Sequence, residues 1–213
     1  MRNLGLLLSL ILVYCLAGCE VEQKPESKKP VIVAKDKVYS FAWESKSYTN
    51  QLVNSIKESA LMTAKPKDLK DFGYTGQDPI EFWGNIMVKM SYYESRWKTD
   101  TKYQESFNDR SGERIYSRGL FQLSLESSKG YPKCQMKTKE DFHIAEKNIN
   151  CAVAIMEKWV VRDGVIRAKV KPPVNASKWD KGWRGGARYW SVIRGTHSSH
   201  TKNALSAIMR ANM

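Results

Sequence analysis

Several sequence patterns that commonly indicate a particular function or fold are missing from this chain. It contains no glycine-rich loop of the kind that binds nucleotide phosphates, and no segment of it repeats. It has only three histidines, and the pair His197 and His200 has helical spacing without a third ligand. The alternation of polar and apolar residues that marks a half-buried strand is almost absent. These absences argue against a nucleotide-binding or repeat protein, and they predict a mainly α chain that holds neither a metal nor a cofactor.

The N-terminus has the pattern of an export signal. Arg2 supplies a positive charge, and an almost unbroken apolar run follows from Leu4 to Leu16. This run is shorter than the about 20 apolar residues that a spanning helix needs. It ends in Leu16-Ala17-Gly18-Cys19, which resembles the bacterial lipobox, where the cysteine thiol receives a diacylglycerol. We expect residues 1–18 to be a lipoprotein signal peptide and Cys19 to be lipidated, with an ordinary secretory signal or an uncleaved anchor as the alternatives.

The residues after the signal divide into a tether and a domain. Residues 19–38 are rich in lysine, glutamate and proline and poor in apolar residues, so they predict a charged flexible tether. Residues 39–213 are long enough for one folded domain. Because Glu20 is not the aspartate that favours inner-membrane retention in enteric bacteria, we expect an exported protein, lipid-anchored at the periplasmic face of the outer membrane.

Acidic residues are scarce relative to basic ones. The chain has 35 lysines and arginines against 22 aspartates and glutamates, which gives a formal charge of +13. Such a surface favours polyanions but does not name one. An exported lipoprotein meets the carboxylates of peptidoglycan and the anionic polymers of the envelope, so we expect no nucleic-acid partner.

Cysteines suitable for a disulfide are also few. Cys15 would leave with the signal and Cys19 would carry the lipid, which leaves Cys134 and Cys151. In an oxidising compartment these two are candidates for a disulfide. Two separate reduced thiols are the alternative, because the sequence does not give their distance.

Apolar residues recur at three- and four-residue steps in most of the domain, which predicts helices. Helices are expected over residues 48–64, 79–94, 120–128, 140–161, 184–193 and 201–211, with a loop over 165–178. The helix over 140–161 has the broadest apolar face, so we expect it to be the central buried helix. Residues 96–118 are polar and are expected to form one wall of a cleft, with a possible small β-hairpin near Ile115.

Glu94 is the candidate catalytic residue. It follows Met90 by four residues and Met87 by seven, so it shares a helix face with buried residues. A carboxyl group pressed against apolar neighbours has a raised pKa and can stay protonated near neutral pH. Cleavage of a glycosidic bond needs such an acid to protonate the leaving oxygen. A glutamate that merely ends a helix in solvent is the alternative for this residue taken alone.

The neighbours of Glu94 resemble the motifs of a known family. Glu94-Ser95-Arg96-Trp97 is similar to the E-S-x-aromatic motif of the soluble-lytic-transglycosylase-like and goose-type-lysozyme-like enzymes, and Ser117-Arg118-Gly119-Leu120-Phe121-Gln122 is similar to their S-x-G-L-x-Q motif. Asn148-Ile149 looks like the start of their N-I-x-x-G helix, and Ala187-Arg188-Tyr189-Trp190 falls where they have an A-Y-N segment. The resemblance covers residues 80–195 and implies a lysozyme-like fold, with a substrate cleft beside a central buried helix.

The resemblance also implies roles for individual residues. It implies a monomer that binds peptidoglycan glycan strands and cleaves their MurNAc-GlcNAc β-1,4 bond, with Glu94 as the acid and base. Gly119 would let the backbone approach a sugar, Gln122 would hydrogen-bond it, and Tyr189 would position Glu94 or the substrate from across the cleft. The implied substrate-binding set comprises Ser95, Ser117, Gly119, Phe121, Gln122 and Tyr189.

Two reaction outcomes remain open from the sequence. In lytic transglycosylases the muramyl 6-hydroxyl attacks the anomeric carbon, and this anhydro-forming outcome is the one we expect first from the resemblance. In lysozyme-type enzymes water attacks with the help of a second carboxylate, for which Glu105 and Asp109 are the candidates. Inverting hydrolysis needs the two carboxyl groups about 6.5–9.5 Å apart. A lipoprotein that binds peptidoglycan without cleaving it is the non-enzymatic alternative.

Overall fold

The structure is a computed structural model. It describes residues 37–43, 45–109, 111–177, 180–196 and 198–213. Residues 38–213 pack together as one unit. The predicted signal peptide, the lipidation site Cys19, most of the predicted tether and His197 lie outside the described residues.

Helices make up most of the regular structure, as the sequence predicts. They are α1 (Lys46–Lys57), α2 (Pro79–Ser95), α3 (Leu125–Ser128), α4 (Ala145–Asp163) and α5 (Ser199–Met209). Short 3-10 turns lie at Ala60–Met62, Lys70–Phe72, Glu140–His143, Gly186–Arg188 and Ser191–Ile193. In the part of the chain that the structure describes, no helix has both the length and the apolar character needed to cross a bilayer.

Two small antiparallel sheets accompany the helices. In the first, β1 (Lys102–Asn108) pairs with β2 (Arg114–Arg118), and the pairing is irregular between Gln104 and Asn108. This is the hairpin expected near Ile115. In the second, β3 (Arg167–Lys169) pairs with β4 (Trp183–Gly185).

The second sheet contradicts two of the sequence-based predictions. The predicted loop over 165–178 contains β3, and the predicted helix over 184–193 is instead the end of β4 followed by two 3-10 turns. Gly185 explains the break, because its φ of 64° is left-handed and a side chain there would lie 2.2 Å from the carbonyl oxygen of Val165. The strand therefore passes too close to its neighbour for a helix to begin there.

The helix predicted over 48–64 is also too long. α1 ends at Lys57, and Ser59 then caps a separate 3-10 turn by accepting a hydrogen bond from the backbone N–H of Leu61 at 3.3 Å. Serine competes with the helix for backbone hydrogen bonds, which favours such an interruption. The apolar spacing continues across the break, so periodicity alone did not reveal it.

α2 begins where the sequence places it. The Asp78 carboxylate accepts a hydrogen bond from the backbone N–H of Ile80 at 2.8 Å, and Pro79 occupies the first helical position, where the missing N–H is no loss. The helix then buries Phe82, Trp83, Ile86, Met87 and Met90 and packs against α1 and α5. The end of α2, which carries Glu94, is therefore supported by the core.

α4 lies deep in the core. Five of its apolar side chains have no exposed surface, and they point in several directions around the helix: Ile149, Cys151, Ala152, Ile155 and Met156. Both α1 and β4 pack against it. Cys151 is joined to Cys134 by a disulfide with an S–S distance of 2.07 Å, which ties the segment after Pro132 to this helix. Closing a loop of this length is worth about 3 kcal/mol in the chain-entropy model.

Candidate active site

The chain leaves α2 through a strained backbone directly after Glu94. Arg96 and Trp97 have φ values of 57° and 62°, a left-handed conformation that costs a residue other than glycine roughly 1–2 kcal/mol. Two hydrogen bonds hold it: the Arg96 N–H donates to the carbonyl oxygen of Tyr92 at 2.8 Å, and the Trp97 Nε1–H donates to that of Val88 at 3.0 Å. Such strain persists only where the surroundings fix it, which is common at functional sites.

Ser95 connects α2 to the second predicted motif. Its Oγ lies 2.9 Å from the carbonyl oxygen of Leu120 and 3.1 Å from that of Ser91, and the residue is buried. The sequence assigned Ser95 to the substrate-binding set. The structure instead makes it an internal support that holds the two motifs together.

Glu94 is partly buried, and its carboxylate has no hydrogen-bond or ion-pair partner in the described part of the chain. Burial, and to a smaller extent the negative charge of Glu105, raise the pKa of Glu94 to about 8 against the opposing positive charge of Arg194. A carboxyl group with this pKa is mostly protonated at neutral pH. The end of α2 therefore presents a carboxyl group that can donate a proton.

Glu105 lies on β1, close enough to Glu94 for its negative charge to raise the pKa of Glu94. Its Oε1 accepts a hydrogen bond from the Oγ of Ser117 on β2 at 2.5 Å. Ser117 is buried and lies directly opposite Tyr103 in the hairpin pairing. Ser117 therefore orients the second carboxylate, which differs from the substrate contact that the resemblance implied.

Asp109, unlike Glu105, is not among the charges that shift the pKa of Glu94. It lies at the tip of the hairpin, where its Oδ1 accepts hydrogen bonds from the backbone N–H groups of Ser111 and Glu113, both at 2.9 Å. The Ser111 hydroxyl also donates to it at 2.7 Å, and these bonds hold the pKa of Asp109 below its usual value. Asp109 thus shapes the turn between β1 and β2, and Glu105 is the candidate that acts on Glu94.

The turn after β2 is built around Asn148 of α4. The Asn148 Oδ1 accepts from the backbone N–H of Phe121 at 2.9 Å, and its Nδ2 donates to the carbonyl oxygens of Arg118 at 3.2 Å and Phe142 at 2.9 Å. Gly119 has a φ of 72°, and a side chain there would lie 2.0 Å from the Phe142 carbonyl oxygen. The glycine is thus required by close packing inside the protein, and not by the approach of a sugar as the sequence suggested.

Phe121 does not present its ring to a cleft. The side chain has no exposed surface, and its ring lies 6.5 Å from that of Trp190. The Trp190 Nε1–H donates to the Phe121 carbonyl oxygen at 3.0 Å. Phe121 belongs to the core, which corrects its assignment to the substrate-binding set.

Gln122 is buried next to this turn in a left-handed conformation, with a φ of 47°. Its Nε2 donates to the carbonyl oxygens of Gly119 at 2.9 Å and Thr101 at 3.3 Å. Its Oε1 is buried and has no partner among the described residues. Because both hydrogens of the Gln122 amide already make hydrogen bonds, Gln122 can interact with a ligand or a water only through its Oε1, as an acceptor.

Tyr189 lies near enough to Glu94 for the two groups to interact electrostatically. Its hydroxyl is 2.7 Å from the Oγ of Ser127, and burial raises its pKa, with the charge of Glu94 among the smaller causes. A neutral phenol beside the carboxyl group is consistent with the positioning role that the resemblance implies for Tyr189. Ser127 was not singled out from the sequence.

Arg194 is a site residue that the sequence did not reveal. Its guanidinium donates to the carbonyl oxygens of Ala187 at 2.8 Å, Arg188 at 3.0 Å and Tyr189 at 3.3 Å, which fixes it beside Glu94. No motif marks this arginine, because its partners are backbone atoms. Among the described residues, no group of three or more His, Cys, Asp or Glu side chains could hold a metal ion.

Comparisons with known proteins give one group of solved structures. No family model matches the chain, and no curated protein matches it. The Bdellovibrio protein Bd0314 DslA, in its wild-type form, is 33% identical over 76% of this chain and 87% of its own, with a TM-score of 0.66. Two forms of Bd0314 DslA with one glutamate replaced by glutamine match at 31% and 32% identity, with TM-scores of 0.66 and 0.65. At this identity and coverage, the chain belongs to the same family as Bd0314 DslA.

Proposed function

We propose that this protein cleaves the MurNAc-GlcNAc β-1,4 bond of peptidoglycan glycan strands, with Glu94 as the general acid. The observation that carries the proposal is the state of Glu94, a partly buried carboxyl group without a donor, whose pKa burial raises to about 8. Glycoside cleavage needs an acid that is still protonated at neutral pH. Glu94 meets this requirement.

The sequence motifs supply the substrate class. The segments beginning at Glu94 and Ser117 are similar to motifs of the soluble-lytic-transglycosylase-like and goose-type-lysozyme-like enzymes, which act on this polymer. A mainly helical domain with a carboxyl group at a helix end and a hairpin beside it is compatible with their lysozyme-like fold. We place the chain in that wider group as part of the proposal.

The position of Glu105 favours hydrolysis over formation of an anhydro product. Its charge raises the pKa of Glu94, so the two carboxyl groups face a common site, and Ser117 fixes its orientation. In this reaction Glu94 gives its proton to the glycosidic oxygen as the bond to the anomeric carbon breaks. Water attacks that carbon and gives its proton to Glu105.

The related structures add support for this pair. The two glutamates replaced in the forms of Bd0314 DslA are eleven positions apart, which is the separation of Glu94 and Glu105. Replacement of a glutamate by glutamine keeps its size and removes its acid–base chemistry. The matching separation supports the proposal that Glu94 and Glu105 act as a pair in this chain.

Formation of an anhydro product is the second candidate. The motif that contains Glu94 is shared with enzymes in which the muramyl 6-hydroxyl attacks the anomeric carbon, and that reaction needs no second carboxylate. Glu94 would first protonate the leaving oxygen and its carboxylate would then accept the proton of the 6-hydroxyl. The two outcomes differ by one molecule of water in the product.

Digestion of purified sacculi tests the proposal. We expect the protein, purified in detergent, to release soluble glycan fragments, and mass spectrometry to find reducing MurNAc ends. Fragments lighter by one water would support the second candidate. Absence of soluble fragments, with binding to sacculi retained, would leave a peptidoglycan-binding lipoprotein and overturn the enzymatic proposal.

The export signal supplies the location. We propose that Cys19 is lipidated and holds the domain at the periplasmic face of a membrane, the outer membrane being the expected one, where glycan strands are within reach. Two acyl chains give a stable anchor, whereas one is marginal. Cys19→Ala should abolish incorporation of labelled palmitate, and unchanged labelling would refute the lipobox.

A further inference from the structure

Exposed aromatic side chains are confined to one strand of the described structure. Among the exposed large hydrophobic residues of the described ranges, only Tyr103 and Phe107 are aromatic, with 64% and 51% of their surface exposed. They lie two residues before and two residues after Glu105 on β1. Large exposed aromatic rings on a soluble domain commonly mark a binding surface.

The pairing of the hairpin places Tyr103 on the face of the active site. Tyr103 lies directly opposite Ser117, and side chains of directly opposed residues share one face of a sheet. Ser117 in turn donates its hydroxyl hydrogen to Glu105. Tyr103, Ser117 and Glu105 are therefore on the same face.

The rings of Tyr103 and Phe107 are free to accept a ligand. Neither contacts another aromatic ring or a cation in the described part of the chain. Tyr116, on β2, is the contrast: it pairs with Gln104 and its ring is covered by Lys102 at 4.3 Å and approached by Arg118 at 5.2 Å.

We propose that Tyr103 and Phe107 form an aromatic platform beside Glu105 on which pyranose rings of the glycan strand stack. The strand pairing places Tyr103 on the face of Glu105, and Phe107 is included because its ring is exposed in the irregular stretch between Gln104 and Asn108. The C–H faces of a pyranose are apolar, and an aromatic ring offers them a rigid apolar surface at low entropic cost. With a strand rise of about 3.4 Å per residue, the Cα atoms of Tyr103 and Phe107 are up to about 14 Å apart along β1. A glycan chain of several sugars is long enough to contact both rings.

This inference rests on the proposed function and deepens it, because it assigns the residues that select an extended glycan. The platform acts before the chemical step. Loss of either ring should therefore raise KM more than it lowers kcat.

Binding to an inactive background tests the platform without requiring turnover. In Glu94→Gln, peptide-free glycan oligosaccharides, in N-acetylated and de-N-acetylated form, are titrated and the affinity is measured by calorimetry. Adding Tyr103→Ala or Phe107→Ala should weaken binding about five- to tenfold each, which corresponds to about 1–1.4 kcal/mol, the loss at the lower limit for an important interface side chain. Tyr103→Phe should keep the parent affinity, because the ring is retained.

Tyr116→Ala is the matched control, since it removes the same side chain from the opposite face of the same hairpin and should leave the affinity unchanged. Binding by the Tyr103→Ala, Phe107→Ala double variant within twofold of the background would overturn the platform while leaving the proposed function intact. Equal weakening by Tyr116→Ala would overturn it too, since the hairpin itself would then be the cause. If Glu94→Gln binds no oligosaccharide in either form, both proposals fail.

Discussion

Asp141 and Glu94 are two carboxyl groups whose surroundings shift the pKa in opposite directions. Asp141, in the turn before α4, accepts hydrogen bonds from the backbone N–H groups of Lys137 at 2.7 Å and Thr138 at 3.0 Å and from the Lys147 Nζ at 2.5 Å. The bond to Lys147, followed by those to the backbone, holds the pKa of Asp141 far below its usual value. Glu94 has no such donor, and its pKa is raised to about 8.

The difference separates a carboxylate that builds structure from one that can donate a proton. Donors around Asp141 stabilise its charge and so fix the turn. Burial without donors destabilises the charge of Glu94 and so keeps the proton available. A carboxylate whose charge is stabilised by hydrogen bonds is ionised at neutral pH, so it cannot donate a proton. A buried carboxyl group without such donors destabilises the folded protein when it ionises.

The largest expected effect comes from removing the acid. Glu94→Gln should lower the rate of sacculus cleavage by about 10²–10⁴, the usual contribution of general acid catalysis. Asp141→Asn, measured well below its own melting temperature, is the control and should keep the parent rate. If Glu94→Gln retains more than about a tenth of that rate, the acid is another residue.

Removing the negative charge of Glu105 should shift the alkaline side of the pH–rate profile. The parent rate should fall as pH rises through about 8, because Glu94 then loses its proton. In Glu105→Gln the rate itself should fall, because the proposed base is gone. The alkaline fall of the remaining activity should also move to lower pH, because the negative charge that helps to raise the pKa of Glu94 is absent. Asp109→Asn removes a carboxylate at the hairpin tip and should leave it in place. A shift of equal size in both variants would contradict the pairing of Glu94 with Glu105.

Replacing Asp141 should lower the thermal stability of the protein without lowering its rate of cleavage. Asp141→Asn should lower the thermal midpoint at neutral pH, because Lys147 loses its partner and an amide oxygen is a weaker acceptor than a carboxylate. The pKa of Asp141 is depressed in the fold, so its contribution is present above pH 3.8 and is lost as pH falls below that value. Calorimetry should therefore find the two midpoints converging in acid, and a gap that stays constant would argue against this origin.

The smallest expected effect is a gain in stability from the variant that destroys activity. The folded pKa of Glu94 lies above the usual 4.5, so its contribution to stability is fully present below pH 4.5 and is lost as pH rises through about 8. Glu94→Gln carries no charge there and should melt above the parent at pH values higher than 8. Equal midpoints on the alkaline side would mean that Glu94 ionises at no cost.

The sequence predicted the parts of the site that depend on local signals. The Asp78-Pro79 start of α2 and the apolar spacing of Met87 and Met90 place Glu94 at the buried end of a helix, and the structure agrees. Local propensity and periodicity act within a few residues, so a single sequence contains them.

The remaining features depend on contacts between distant segments. The choice between Glu105 and Asp109 follows from the pairing of β1 with β2, which brings Ser117 to Glu105. Arg194 reaches the site through bonds to backbone carbonyl oxygens, which leave no trace in residue types. The need for glycine at position 119 is likewise invisible in the sequence, because the atoms that would crowd a side chain there belong to Phe142 and Asn148.

A direct titration of the Glu94 carboxyl group tests the central claim of this account. Carbon-13 NMR of protein labelled at the glutamate side-chain carboxyl, with the Glu94 signal assigned by its loss in Glu94→Gln, follows that one group through the pH range. We expect a midpoint near 8 for Glu94. A midpoint near the usual 4.5 would mean that Glu94 is ionised at neutral pH and cannot be the proton donor.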